Sequence, residues 1–154
     1  MAYYTASRTG DVLNTSFHAA AGRSYIDLDS ALFFRLPPDK TETDKRQPPV
    51  KIGRRLLSHL KRWKETKQCA SFVVEWEGLP VKSIKNGFSS AVEAAGLGED
   101  VTPYTLSHSR ITHQVKAGIK LWDVAAAAGT SEDMIRKHYG HWAPDHLDDA
   151  VNAR

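Results

Sequence analysis

In Ser24-Tyr-Ile-Asp-Leu-Asp-Ser-Ala-Leu-Phe-Phe-Arg-Leu36 the apolar residues keep the two-residue period of strands, whereas in Arg54-Arg-Leu-Leu-Ser-His-Leu-Lys-Arg-Trp63 they switch to helical spacing. Residues 24–28 and 31–36 flank Asp29-Ser30, which is the grammar of a hairpin. Pro37-Pro38 ends the second run, a polar turn-forming segment covers 40–46, and Pro48-Pro-Val-Lys-Ile52 resumes as a third, edge-like strand. These runs predict a small antiparallel sheet in the N-terminal half. From Arg54 onward Leu56, Leu57, Leu60 and Trp63 share one helical face, with Arg and Lys on the other.

Working outward, residues 2–17 read as one helix on Tyr3, Tyr4, Val12, Leu13 and Phe17, with Gly10 as a weak point. Beyond Trp63, Phe72-Val-Val-Glu-Trp76 reads as a strand and Glu77-Gly78 as a turn. Ile84, Phe88, Ala91, Val92 and Ala95 give a helix stopped by Gly96. Thr102-Pro103 is an N-cap followed by proline at the first helical position, opening a helix to Ala117 with Gly118 as its stop. A short helix over 121–128 ends at Gly129, and Thr130-Ser-Glu-Asp133 resembles a capping box, with Thr130 as N-cap, for the helix carrying Tyr139. A last helix is expected over 145–151. The predicted fold is α+β, mostly helical.

The bulk numbers narrow the function classes. At 154 residues the chain fits one domain, and 41% hydrophobic with 25% charged residues is globular composition. No apolar run approaches the roughly 18 residues of a membrane span, and MAYYTASRTGDVL has no basic-then-apolar leader, so a cytoplasmic, nucleoid-associated location is expected. Cys69 is the sole cysteine; it excludes an intrachain disulfide and a multi-cysteine metal site, and reads as a small packing residue. A net charge of +3 and a pI near 9.0 are compatible with a polyanionic partner. Basic residues concentrate between Lys40 and Lys67, although for Lys61 to Lys67 a solvated helix face suffices.

Five local motifs, in order, carry a resemblance. Thr5-Ala-Ser-Arg8, then Val12-Leu13; Ile26-Asp-Leu28; Lys40-Thr-Glu-Thr-Asp-Lys-Arg-Gln-Pro-Pro-Val50; Thr102-Pro-Tyr-Thr-Leu-Ser-His108, then Ala117-Gly118; and Arg136-Lys-His-Tyr139-Gly-His141 together resemble the catalytic-domain boxes of the tyrosine recombinase, or phage-integrase, family. The intervals of 23 residues from Ser107 to Thr130 and 9 from Thr130 to Tyr139 are similar to the family's spacing. The resemblance covers nearly the whole chain. It implies Tyr139 as the nucleophile, Arg8 as the first arginine, Lys40 on a hairpin as the catalytic lysine, and Lys45 and Arg46 as DNA contacts.

The implied chemistry accounts for these residue types. Attack of a tyrosine oxygen on a DNA phosphodiester loads negative charge onto the non-bridging oxygens, which guanidinium groups bind in pairs. The leaving 5′-oxygen needs a proton, which a lysine supplies, and a histidine accepts or holds the tyrosine proton. No metal or other cofactor is needed, the partner is double-stranded DNA with self-association on it, and neither a small-molecule substrate nor a membrane is expected. Three positions depart from the family pattern. Tyr104 stands where the second box has histidine, Ser107 where it has arginine, and Thr130 where a later histidine or tryptophan stands. Loss of the second arginine costs about a hundredfold or more in rate, so reduced or lost activity is expected. Arg110, about one helical turn from Ser107, is a possible substitute, and His108 reads as a core or surface histidine.

The resemblance also implies a first helix upstream and an N-terminal DNA-clamping domain, both of which residues 1–154 are expected to lack, as in a fragment, a shortened gene or the remnant of a mobile element. Three functions follow in order: DNA breaking and rejoining through Tyr139, in impaired form; an inactive DNA-binding remnant of an integrase; and a helix-turn-helix regulator, since residues 121–136 also fit that motif with Gly129 in the turn. The last leaves the sheet and the Arg8 box without a role.

Overall fold

The computed structural model describes residues 1–35, 49–144 and 151. The hairpin is formed by β2 (Ser24–Asp27) and β3 (Leu32–Phe34), antiparallel, with Tyr25 opposite Phe34 and the two rings stacked at 4.4 Å. Asp27 holds its turn, accepting from the Asp29 N–H at 2.9 Å and from the Ser30 hydroxyl at 2.6 Å. β4 (Val50–Lys51) adds antiparallel to β3, as the edge strand predicted after Pro48-Pro49.

One further strand was not foreseen. β1 (Thr15–Ser16) pairs parallel with β2, so among the described residues the sheet has four strands in the order β1-β2-β3-β4 rather than three. Its residues fall within the predicted single helix over 2–17, which is broken. α1 (Ala2–Thr5) ends where Ala6 turns left-handed at φ 51°, Arg8 is extended, and α2 (Thr9–Leu13) follows. The cause is local. The Thr5 hydroxyl donates to the Ser7 hydroxyl at 2.8 Å, an alternative to helical bonding that these residue types offer, and Ala6 is drawn into the helical core. The break lifts Arg8 out of a helix interior to the N-terminal end of α2.

The sheet buries Ile26 and Phe33 against Leu56 and Leu60 of α3 (Arg54–Glu65), with Phe17, Ile52 and Val73 completing this core. The strand predicted at 72–76 is shorter. β5 (Glu75–Trp76) pairs with β6 (Leu79–Pro80) around the Glu77-Gly78 turn, while Phe72 makes a single bridge to Ser16. α4 (Lys85–Ala94), α5 (Pro103–Lys116), α6 (Leu121–Ala128) and α7 (Glu132–Tyr139) then follow with the predicted stops at Gly96, Gly118 and Gly129. The second core lies among them: Ile111 and Val115 of α5, Val124 and Ala125 of α6, Ile135 of α7, and Ala6.

Arg35, at the end of β3, bridges the two cores. The residue is 3% exposed, and its guanidinium donates to the carbonyls of Ala127 at 2.9 Å and Ala126 at 3.3 Å, at the C-terminal end of α6. That is a favourable place for a cation, because the last carbonyls of a helix lack intrahelical donors and carry its negative dipole end. α1 is pinned separately to α5 by a hydrogen bond between the Tyr3 hydroxyl and His113 Nδ1 at 2.8 Å.

Candidate functional site

The second core opens on one side into a cavity of about 250 Å³, and its polar lining comes from three places in the chain. The α1–α2 connection supplies Arg8, α5 supplies Tyr104, Ser107 and His108, and the α6–α7 turn with α7 supplies Thr130, His138 and Tyr139. Arg8, Tyr104, Ser107 and Tyr139, singled out in sequence by three separate motifs, and Thr130, singled out by its spacing from them, therefore meet at one cavity.

Each is positioned by identifiable local structure. α5 opens as predicted, with the Thr102 N–H donating to the Thr105 hydroxyl at 3.1 Å and Pro103 at the first helical position. Tyr104, Ser107, His108 and Ile111 then follow the i, i+3, i+4, i+7 spacing of one helical stripe. Ser107 is buried and its hydroxyl donates back to the Tyr104 carbonyl at 2.9 Å, so it is turned toward its own helix. Tyr104 is 59% exposed at the cavity mouth.

Thr130 is not the N-cap of α7, contrary to expectation; Ser131 is, its hydroxyl accepting from the Met134 N–H at 3.3 Å. The reason lies in how α6 ends. The Thr130 N–H donates to the Ala125 carbonyl at 3.0 Å and the Gly129 N–H to Ala126 at 3.3 Å, with Gly129 at φ 68°. Glycine and threonine thus close the preceding helix, and the next residue is the first free to open another.

α7 brings Tyr139 to half-buried depth, where its hydroxyl is hydrogen-bonded to Nδ1 of His108. Burial pushes the Tyr139 phenol above its usual range, and the nearby Tyr104 adds to this. Burial also lowers His108, assisted by His138. Both shifts favour the neutral pair, in which the phenol donates and the imidazole accepts in its Nε2–H tautomer. His108, read from sequence as a core or surface histidine, is thus part of the site. The missed signal is its i+4 relation to Tyr104, which places both on one face.

Arg8 is exposed at the N-terminal end of α2. Asp11, in the first turn, accepts from the Arg8 backbone N–H; burial raises its carboxyl, and the charges of Arg35 and Arg8 partly offset this. Arg110 is not among the residues lining the cavity. Its guanidinium lies 5.9 Å above the Tyr3 ring, on the side of α5 that faces α1. Lys40, Lys45 and Arg46 lie outside the described residues, as does the predicted helix over 145–151 apart from the helical Val151. Among the described residues no group of three His, Cys, Asp or Glu side chains is arranged to hold a metal, and no helix is long and apolar enough to cross a membrane.

No protein-family model and no curated protein sequence matches the chain. Solved structures do. The Tn1549 transposon integrase in complex with circular-intermediate DNA superposes with a TM-score of 0.71 at 14% identity, over 97% of this chain and 55% of that one. The XerA recombinase gives 0.65 at 15% identity over 99% and 56%. The XerH site-specific recombinase, bound to its palindromic difH substrate after cleavage, gives 0.63 at 19% identity over 99% and 43%. The chain spans about half the length of these structures. At such identities the likeness concerns the fold, which is α+β, mostly helical, and of the tyrosine-recombinase catalytic type.

Proposed function

We propose that this domain binds duplex DNA and acts in strand breaking and rejoining, with Tyr139 as the attacking residue, in a form whose activity is reduced. The observation carrying this is the convergence of Arg8, Tyr104, Ser107, Thr130 and Tyr139 on one cavity, from separate elements of a recombinase-type fold. In the reaction Tyr139 Oη forms the bond to phosphorus, the bond to the 5′-oxygen breaks, and a 3′-phosphotyrosyl linkage retains the energy needed for resealing. Arg8 would bind the charge that develops on the non-bridging oxygens.

The reduction follows from what faces that charge. Ser107 offers a neutral hydroxyl engaged with the Tyr104 carbonyl, and Arg110 lies over Tyr3, so neither supports a second guanidinium in the cavity. Lys40, on the predicted hairpin, is proposed as proton donor to the leaving oxygen, with Lys45 and Arg46 as contacts to the DNA backbone. The helix-turn-helix alternative over 121–136 gives no role to Arg8 or to the cavity that Tyr139 shares with α5.

The test is to incubate the chain with a library of nicked duplexes and digest for mass spectrometry. A trace of nucleotide-modified peptide containing Tyr139, absent from Tyr139→Phe, is expected. Modification elsewhere, or persisting in that variant, would refute the assignment.

A further inference from the structure

The nucleophile assigned above must lose a proton to react, and its surroundings hold that proton in place. Burial raises the Tyr139 phenol, so it is protonated at neutral pH. Two family positions near it are filled by Tyr104 and Thr130, whose hydroxyls cannot take up a proton in water near neutrality. The Tyr139 hydroxyl is instead bonded to Nδ1 of His108. The His108 ring is held in turn, the Tyr104 ring standing edge-on to it at 4.1 Å between centroids and 84° between planes. The groups facing His108 are Tyr104 and Ser107 on its own helix, His138 and Tyr139 from α7, and Arg8 across the cavity.

We propose that His108 is the general base for Tyr139, doing from one helical turn further along α5 the work for which the family position at Tyr104 has no suitable group. As Tyr139 Oη bonds to phosphorus, the O–H bond breaks and the proton passes to Nδ1, converting neutral imidazole to imidazolium. The bond from phosphorus to the 5′-oxygen breaks with its electron pair, the departing oxygen takes a proton from solvent, and the imidazolium keeps its own until resealing. Resealing runs the same steps backwards, with the imidazolium returning its proton to the phenolate. A lowered His108 suits this role, because the base is neutral and ready at physiological pH.

The substrate in this scheme rests on the strand-transfer function proposed above, whereas the proton transfer does not, and the experiment separates them. The full chain is treated with a fluorophosphonate, in which Tyr139 Oη displaces fluoride from phosphorus, and labelling is mapped by mass spectrometry across pH. In the wild type the Tyr139 label should form faster as pH rises through a single titration below the ordinary histidine value of about 6.5. His108→Ala should label at least about tenfold more slowly at pH 7, lose that titration, and recover in part with added imidazole. His108→Asn, which keeps an acceptor beside Oη but cannot carry the proton, should be equally slow while folding normally. Labelling of either variant at the wild-type rate with an unchanged pH profile, or no Tyr139 label in the wild type, overturns the proposal. Parallel incubation with nicked duplex distinguishes the two claims: His108-dependent labelling without a DNA adduct sinks strand transfer and leaves the base, and an adduct indifferent to His108→Ala does the reverse.

Discussion

The hydrogen-bonded pair of Tyr139 and His108 has a consequence for stability as well as for reactivity. His108 titrates lower in the folded chain than its usual value of about 6.5, so between the two values the unfolded chain binds more protons. Stability linked to His108 is therefore complete above about pH 6.5 and falls on acidification through the window below it. Tyr139 acts at the other end: raised in the fold, it contributes stability that is present below about pH 10 and lost above. Urea unfolding midpoints measured from pH 8 down to pH 5 should drop less in His108→Gln than in wild type; identical slopes would show that His108 is not held neutral. That Arg8, Tyr104, Ser107, Thr130 and Tyr139 lie around one cavity was legible in sequence, because motif order and spacing survive substitution. The place of His108 in the cavity was not, because it depends on its i+4 alignment with Tyr104 on one face of α5.

At the scale of elements, the joint between sheet and helices is the end of α6. A Cβ at Gly129 would come within 3.1 Å of Arg35 Nη1, and the residue sits at φ 68°, so Gly129→Ala meets backbone strain and a charged neighbour together. A loss of about 1–2 kcal/mol in chemical denaturation is expected. Arg35→Met strips donors from the Ala126 and Ala127 carbonyls and should cost about 2–4 kcal/mol. Gly10→Ala is the control. Gly10 lies in α2 with open space around its Cβ direction, so this change should be neutral or stabilising by up to about 1 kcal/mol. If all three had equal effects, the joint would have no special role. From residue 85 onward the helix stops and the start of α5 were readable because Gly96, Gly118, Gly129 and Thr102-Pro103 encode them locally, whereas the start of α7 was placed one residue early, at Thr130 instead of Ser131. The first segment misled because Ala6 is set by packing against Ile111 and its neighbours, a contact that no local pattern contains.

For the whole molecule, a net charge of +3 is modest for a domain proposed to bind DNA. Duplex binding should accordingly be weak and largely indifferent to sequence. It should also fall steeply with salt, since each lysine or arginine on a phosphate releases a counterion. Fluorescence anisotropy between 50 and 200 mM salt (roughly the range over which such contacts lose orders of magnitude in affinity) checks this; tight, salt-insensitive binding would point to another mode of recognition.

The most direct test of the central claim, that this is a recombinase site lacking part of its charge-stabilising set, is to restore that set and look for the covalent adduct. Both groups would act on one transition state, so Ser107→Arg with Tyr104→His should raise the yield of Tyr139–DNA adduct on nicked duplex by more than the two single changes combined. The gain should be on the order of a hundredfold over wild type, and Tyr139→Phe in the restored chain should abolish it. A wild-type chain that already cleaves efficiently and loses that activity in Arg110→Ala, or a restored chain that stays inert on DNA it demonstrably binds, would contradict the account.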